Sequence, residues 1–140
     1  MLVFLATLCA GLFAGAAGYV SVVEHWARLN AGPAVALAQF RAGFPRARAM
    51  QASLALGGGV SAILAWLAGD GSSWLLVALL LFGIVGFTLR RITPVYERLL
   101  DPRLTADAAE ASDLLQRWWY LHHVRTVMGA LAFVVALIGK

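Results

Sequence analysis

The sequence predicts an all-α integral membrane protein, a single four-helix bundle spanning residues 1–140. Three observations carry this. Hydrophobic residues make up 61% of the 140 positions and charged residues only 13%, about half the charge of an ordinary soluble domain. The apolar residues gather into four runs of about 20, the length that crosses about 30 Å of hydrocarbon. These runs do not alternate with polar residues, so they read as helices and not as barrel strands.

The first run covers residues 2–23. It lacks a basic leading segment and is about twice as long as the apolar part of a signal peptide, so it reads as a retained span. Cys9 lies inside it; as the chain's one cysteine it has no disulfide partner and reads as a small packing residue. Gly11, Gly15 and Gly18, continued by Val22 and His25, form a small-residue face suited to close helix approach. The second run covers 47–67. Ahead of it, Pro33 is expected to start a short interfacial helix carrying Val35, Leu37 and Phe40, and Pro45 to open the span itself. Gly57, Gly58 and Gly59 have no following Lys-Ser/Thr and mark a kink or tight packing, not a phosphate loop.

The third run, 74–92, follows a tight turn, "AGDGSS". The fourth, 119–138, is expected to begin outside the bilayer as one long helix with Thr105 as its cap. An Asp113–Arg117 pair on that extension has the favourable i,i+4 orientation.

Basic residues set the expected topology. Arg28, Arg41, Arg46, Arg48, Arg90, Arg91, Arg98, Arg103, Arg117 and Arg125 lie in or beside the first and third connections, and only Lys140 lies on the other side. Both long connections are therefore expected in the cytoplasm and both termini outside, in a multi-pass protein of the cell inner membrane. Trp74 at one end and Trp118 and Trp119 at the other fit an aromatic belt. The net charge of +4 does not mean nucleic acid: the arginines flank apolar runs and form no basic face. The partners implied are the bilayer and anionic lipid headgroups, with a small hydrophobic ligand as a further one; the oligomeric state is left open.

Few polar residues remain, and all four spans place them at the arginine-rich end. These are Glu24 and His25, then Gln51, then Thr93 and Tyr96, then His122, His123 and Arg125. Trp118, His122, Arg125 and Gly129 follow i, i+4, i+7, i+11 and share one helix face, whereas His123 points about 100° away. A charged group within a span costs at least ~2.5–3.5 kcal/mol on insertion scales and usually faces an interior partner. Glu24, His25, His122 and Arg125 are thus the candidate catalytic set, and Tyr96, Trp118, Gln51 and Thr93 the candidate substrate-binding set. Two other readings stand beside this: a structural Glu24–Arg125 clamp in a non-catalytic or lipid-binding module, and a transition-metal site of His25, His122 and Glu24.

Four segments, "GLFAGAAGYVSVVEHWARL", "FPRARAMQASLAL", "TPVYERLL" and "LLQRWWYLHHVRT", resemble the successive blocks of the anthrone-oxygenase-like family of bacterial four-span membrane proteins. The chain has His25-Trp26 where relatives often have His-Pro, and Pro94-Val95-Tyr96 where many have Pro-x-Asn. The resemblance implies an oxygenase-like oxidoreductase acting on a small hydrophobic or aromatic substrate, with no obligatory cofactor. An anthrone CH₂ is acidic, and its anion reacts directly with O₂. In that reading His122 or His25 is the base, Glu24 orients it, Arg125 stabilises the oxyanion, and Tyr96 and Trp118 border the rings.

Overall fold

The computed structural model describes residues 1–139, so Lys140 lies outside the described residues. Among them the chain is all-helical, with four helices long and apolar enough to cross a membrane: α1, Leu2–Asn30; α2, Pro33–Leu67; α3, Ser73–Leu100; and α4, Ala109–Ile138. Each packs on its neighbour in the chain, and α1 packs on α4, closing a ring in the order 1-2-3-4. This is a multi-pass membrane four-helix bundle.

The inner faces explain why the bundle is tight. Ala6, Ala10, Ala17, Ala55, Ala62, Ala65, Ala78 and Ala132 are fully buried, while Leu8, Leu12, Leu64, Leu79 and Leu131 face outward. Lipid is as apolar as leucine, so close packing of small side chains, not burial of large ones, holds such helices together. Glycine serves the same end at several places, Gly129 and Gly58 among them. A Cβ at Gly129 would come within 2.6 Å of the Phe13 ring, and one at Gly58 within 2.8 Å of Cys9 Cβ. Of the expected Gly11, Gly15 and Gly18 face only Gly11 lies at a close contact, where a Cβ would come within 2.9 Å of the Phe133 ring of α4. A side chain at Gly15 or Gly18 would meet open space, and the buried stripe of α1 is Ala6, Ala10, Phe13, Ala17, Ser21, His25 and Arg28.

That stripe stays straight because Val20–Glu24 forms a wide π turn. Steps of four residues drift by about 40° each in a regular α-helix. The wide turn takes up the drift and keeps His25 in line with Ser21. A second π turn, Thr88–Ile92, precedes Pro94 in α3. Pro94 has no N–H to donate backward, and Thr88 and Thr93 donate their hydroxyls to the carbonyls of Ile84 (2.7 Å) and Thr88 (3.1 Å).

The helices are longer than the apolar runs. At 35 residues, α2 is about 52 Å long, well beyond the hydrocarbon thickness. No separate interfacial helix forms: α2 runs unbroken from Pro33 through Pro45, and Leu37 and Phe40 are buried rather than lying in lipid. The excess lengths of α2, α3 and α4 lie at the same end and, with the connection between α3 and α4, build a second core of Phe40, Ile92, Tyr96, Leu99, Leu104, Leu115 and Trp118. Trp118 and Trp74 are therefore interior residues, not belt residues.

Thr105 is not the cap of α4, which starts at Ala109 with Ala108 in the cap position. The connection at 101–108 is held instead by Arg41, which donates to the carbonyls of Leu99 (2.9 Å), Asp101 (2.6 Å) and Leu104 (2.9 Å). Arg98 adds ion pairs to Asp101 (2.9 Å) and Glu110 (2.6 Å). The expected Asp113–Arg117 ion pair is absent among the described residues.

Candidate functional site

The buried polar side chains are Ser21, His25, Arg28, Gln51, His122 and Arg125, and they lie at the seam between the apolar bundle core and the second core. Helix α4 supplies the centre. Trp118, His122, Arg125 and Gly129 are all buried, as one face requires, and His123 is exposed. The His122 ring stacks on Trp118 at 4.8 Å and 16°, with Nε2 3.4 Å from the Ala17 carbonyl. Arg125, one turn on, donates from Nη2 to Gln51 Oε1 at 2.6 Å and from Nη1 to Thr88 Oγ1 at 3.4 Å. Its guanidinium sits 5.3 Å from the Phe13 ring centroid, a favourable seat for a cation in an apolar setting.

Helix α1 supplies a second cation. Arg28 pairs with Glu24 one turn before it at 2.9 Å, and both bond to Gln39 of α2. Arg28 also lies over the rings of Phe40 (5.5 Å) and Trp118 (5.7 Å). Glu24 therefore serves Arg28 and Gln39. The expected Glu24–Arg125 clamp does not form, and Glu24 orients neither histidine. His25 is buried but turned away, stacked on Trp119 at 5.3 Å, while the Trp119 indole donates to the Ser21 carbonyl at 3.0 Å. Among the described residues no three His, Cys, Asp or Glu side chains gather, so His25, His122 and Glu24 are not assembled as a ligand set.

Two cavities meet here. The smaller, about 30 Å³, is lined by Glu24, Arg28, Trp118, His122, Gln51 and Arg125 among others. The larger, about 280 Å³, is an apolar slot between α2 and α3. Ala52, Ala55, Leu56, Ile84, Val85 and Leu89 form its walls, and Phe13, Gln51, Thr88 and Arg125 its inner end. Leu56 and Leu89 on its walls are also exposed on the outer surface, which faces lipid in a membrane bundle. Arg48, Gln51 and Arg125 belong to both cavities. At about 280 Å³ the slot lies just under the usual volume of a small-molecule pocket, room for a small ligand.

The substrate-binding expectations divide. Gln51 and Trp118 line the cavities. Tyr96 does not: it packs on Phe44 at 4.8 Å under the Arg48 guanidinium at 5.0 Å. Thr93 lines neither cavity, its hydroxyl being taken by the Thr88 carbonyl. Sequence reasoning passed over Arg28, Thr88 and Phe13. The Glu24-to-Arg28 spacing was the available signal for the first; nothing local marks the other two.

Fold and seam together define a multi-pass membrane protein with a buried cationic centre beside a slot between its helices. Residues 40–135 match the sequence model described as anthrone oxygenase, and the chain belongs to that family. The match takes in Gln51, Thr88, Trp118, His122 and Arg125, while Glu24, His25 and Arg28 precede it. No curated protein and no solved structure matches the chain.

Proposed function

We propose that the protein is an oxygenase-like enzyme that takes a small aromatic substrate with an acidic CH₂, of the anthrone type, and oxidises it with O₂. The observation that carries this reading is the junction of the two cavities at Arg125. An apolar slot reaching the lipid-facing surface ends on a buried cation, with a buried histidine one turn away on the same helix face.

Each part has a chemical role. The slot takes the rings out of the bilayer, where such a substrate concentrates. His122, with Nε2 against the Ala17 carbonyl, keeps its lone pair on Nδ1. Because it lines the smaller cavity while the rings lie in the slot, it accepts the CH₂ proton through one intervening water. The resulting carbanion is delocalised onto the ring carbonyl oxygen, and Arg125, held by Gln51 and Thr88, stabilises that charge. The anion adds O₂ to give a peroxide anion, which is protonated to the hydroperoxide. Loss of the remaining C–H proton and of hydroxide leaves the ketone. The balance is R₂CH₂ + O₂ → R₂CO + H₂O, so O₂ is the oxidant and one of its atoms stays in the product. The arginine distribution supports a cytoplasmic location for this end of the bundle.

The test is turnover of an anthrone by the purified protein in lipid nanodiscs under ¹⁸O₂. Protein-dependent oxygen uptake with one labelled atom in the new carbonyl supports the reading. Label arriving from water, or a rate equal to that of protein-free nanodiscs, refutes it.

A further inference from the structure

Three donors on residues that line the smaller cavity are buried without a partner: Arg28 Nη1, Trp118 Nε1 and Arg125 Nε. Their residues are 6%, 3% and 5% exposed and come from two helices, α1 and α4. All three residues line the same small cavity. A buried donor left unpaired costs on the order of 1–3 kcal/mol, more when it is charged. Three such donors among the residues lining one cavity are not a packing accident that a sequence retains cheaply.

The charges point the same way. The seam buries two guanidiniums, Arg28 and Arg125, against one carboxylate, Glu24. Glu24 is bonded to Arg28 and to Gln39. The hydrogen-bond partners of Arg125 are Gln51 and Thr88, both neutral. One positive charge is therefore uncompensated in a low-dielectric setting, where an opposite charge is strongly favoured.

We infer that the smaller cavity is an oxyanion subsite, which takes one negatively charged oxygen group against the unpartnered donors of Arg28, Trp118 and Arg125. A volume of about 30 Å³ admits one or two oxygen atoms and no ring. The rings of a larger ligand stay in the adjoining slot. The ligand chemistry is a monoanion, either the charged oxygen of an aromatic ligand seated in the slot or a free small carboxylate. The subsite deepens the proposed oxygenase reading, because Arg125 serves both, but its test reads binding and needs no turnover.

The experiment is calorimetric titration of the protein in nanodiscs with benzoate, with benzamide as its neutral counterpart, and with formate. Benzoate is expected to bind at least about tenfold more tightly than benzamide. The Trp118→Phe variant keeps the ring against His122 and Phe40 but removes one donor. It is expected to weaken benzoate by about three- to tenfold and leave benzamide unchanged. Arg125→Gln is expected to remove the preference for the anion, and Trp118→Phe decides the question should that variant not fold. Formate that displaces benzoate identifies a subsite open to free carboxylates; formate that does not identifies one filled only by a ring-bearing ligand. Both outcomes support the subsite. Equal affinity for benzoate and benzamide overturns it, as does an anion preference unchanged in Trp118→Phe. Benzoate binding without oxidation of anthrones leaves the subsite standing and removes the reaction; oxidation without anion preference does the reverse.

Discussion

Arg125 Nη2 lies 2.6 Å from Gln51 Oε1, so that α4 and α2 are joined by a charge-assisted hydrogen bond at the point where the two cavities meet. The guanidinium is buried there, and the glutamine is its shortest hydrogen bond. Replacing Gln51 with Leu is expected to destabilise the bundle by about 1.5–3 kcal/mol, because a buried charge loses an acceptor. Removing the charge as well, in Arg125→Met with Gln51→Leu, is expected to recover part of that loss. Thermal unfolding of the two single variants and the double variant checks this; additive losses count against it.

Glycine packing gives a paired expectation on α4 and α1. Gly129→Ala places a methyl group against Phe13 and is expected to cost about 1–3 kcal/mol through overpacking. Gly15→Ala enters open space and is expected to be neutral or slightly stabilising, since alanine is the better helix former. Melting temperatures in one detergent measure both.

Arg41 closes the 101–108 connection through three carbonyls from one guanidinium. Arg41→Met is expected to open that segment, and trypsin cleavage at Arg103 should accelerate several-fold under native conditions. Arg41→Lys is expected to restore only part of the protection, because an ammonium lacks the planar fork. Equal cleavage of Arg41→Met and the parent chain would show that the arginine does not hold the connection.

Asp101 provides the pH-dependent element of the same segment. Hydrogen bonds from the Arg103 side chain and backbone N–H, with the charges of Arg103 and Arg98 behind them, hold its carboxyl well below the usual carboxylate range. A carboxyl lowered in the folded state stabilises that state above its unfolded pKa, and the contribution fades as pH falls through the folded value. Protection of the segment is therefore expected to be full at neutral pH and to fall only on strong acidification, below about pH 4. Asp101→Asn should be less protected at neutral pH and lose less on acidification. Hydrogen exchange across 101–108 as a function of pH reads both.

Much of the site was legible because helix geometry is rigid. The spacing of Trp118, His122, Arg125 and Gly129 leaves one arrangement on an α-helix, and the burial of His122 with His123 outside follows from it. The four spans were legible because length and composition leave few alternatives in a membrane, and the family because four sequence blocks resemble it. Choice of partner was not. Glu24 had both Arg28 and Arg125 within reach of reasoning, and the nearer one, on its own helix, holds it. The helix-packing face of α1 was misread because alanine serves close approach as well as glycine. The π turn at Val20–Glu24, which aligns His25 and Arg28 with that face, has no sequence signature. Pro45 was read as a boundary, yet α2 passes through it, since packing on the second core outweighs one lost backbone bond.

The most direct measurement is the single-turnover rate of anthrone oxidation by Arg125→Gln in nanodiscs, beside the parent chain and Arg125→Lys. If the charge at the meeting point of the cavities stabilises the developing oxyanion, Arg125→Gln loses about 10²–10³-fold in rate with substrate binding little changed, and Arg125→Lys regains a part. A folded Arg125→Gln protein that oxidises the substrate at the parent rate would contradict the account.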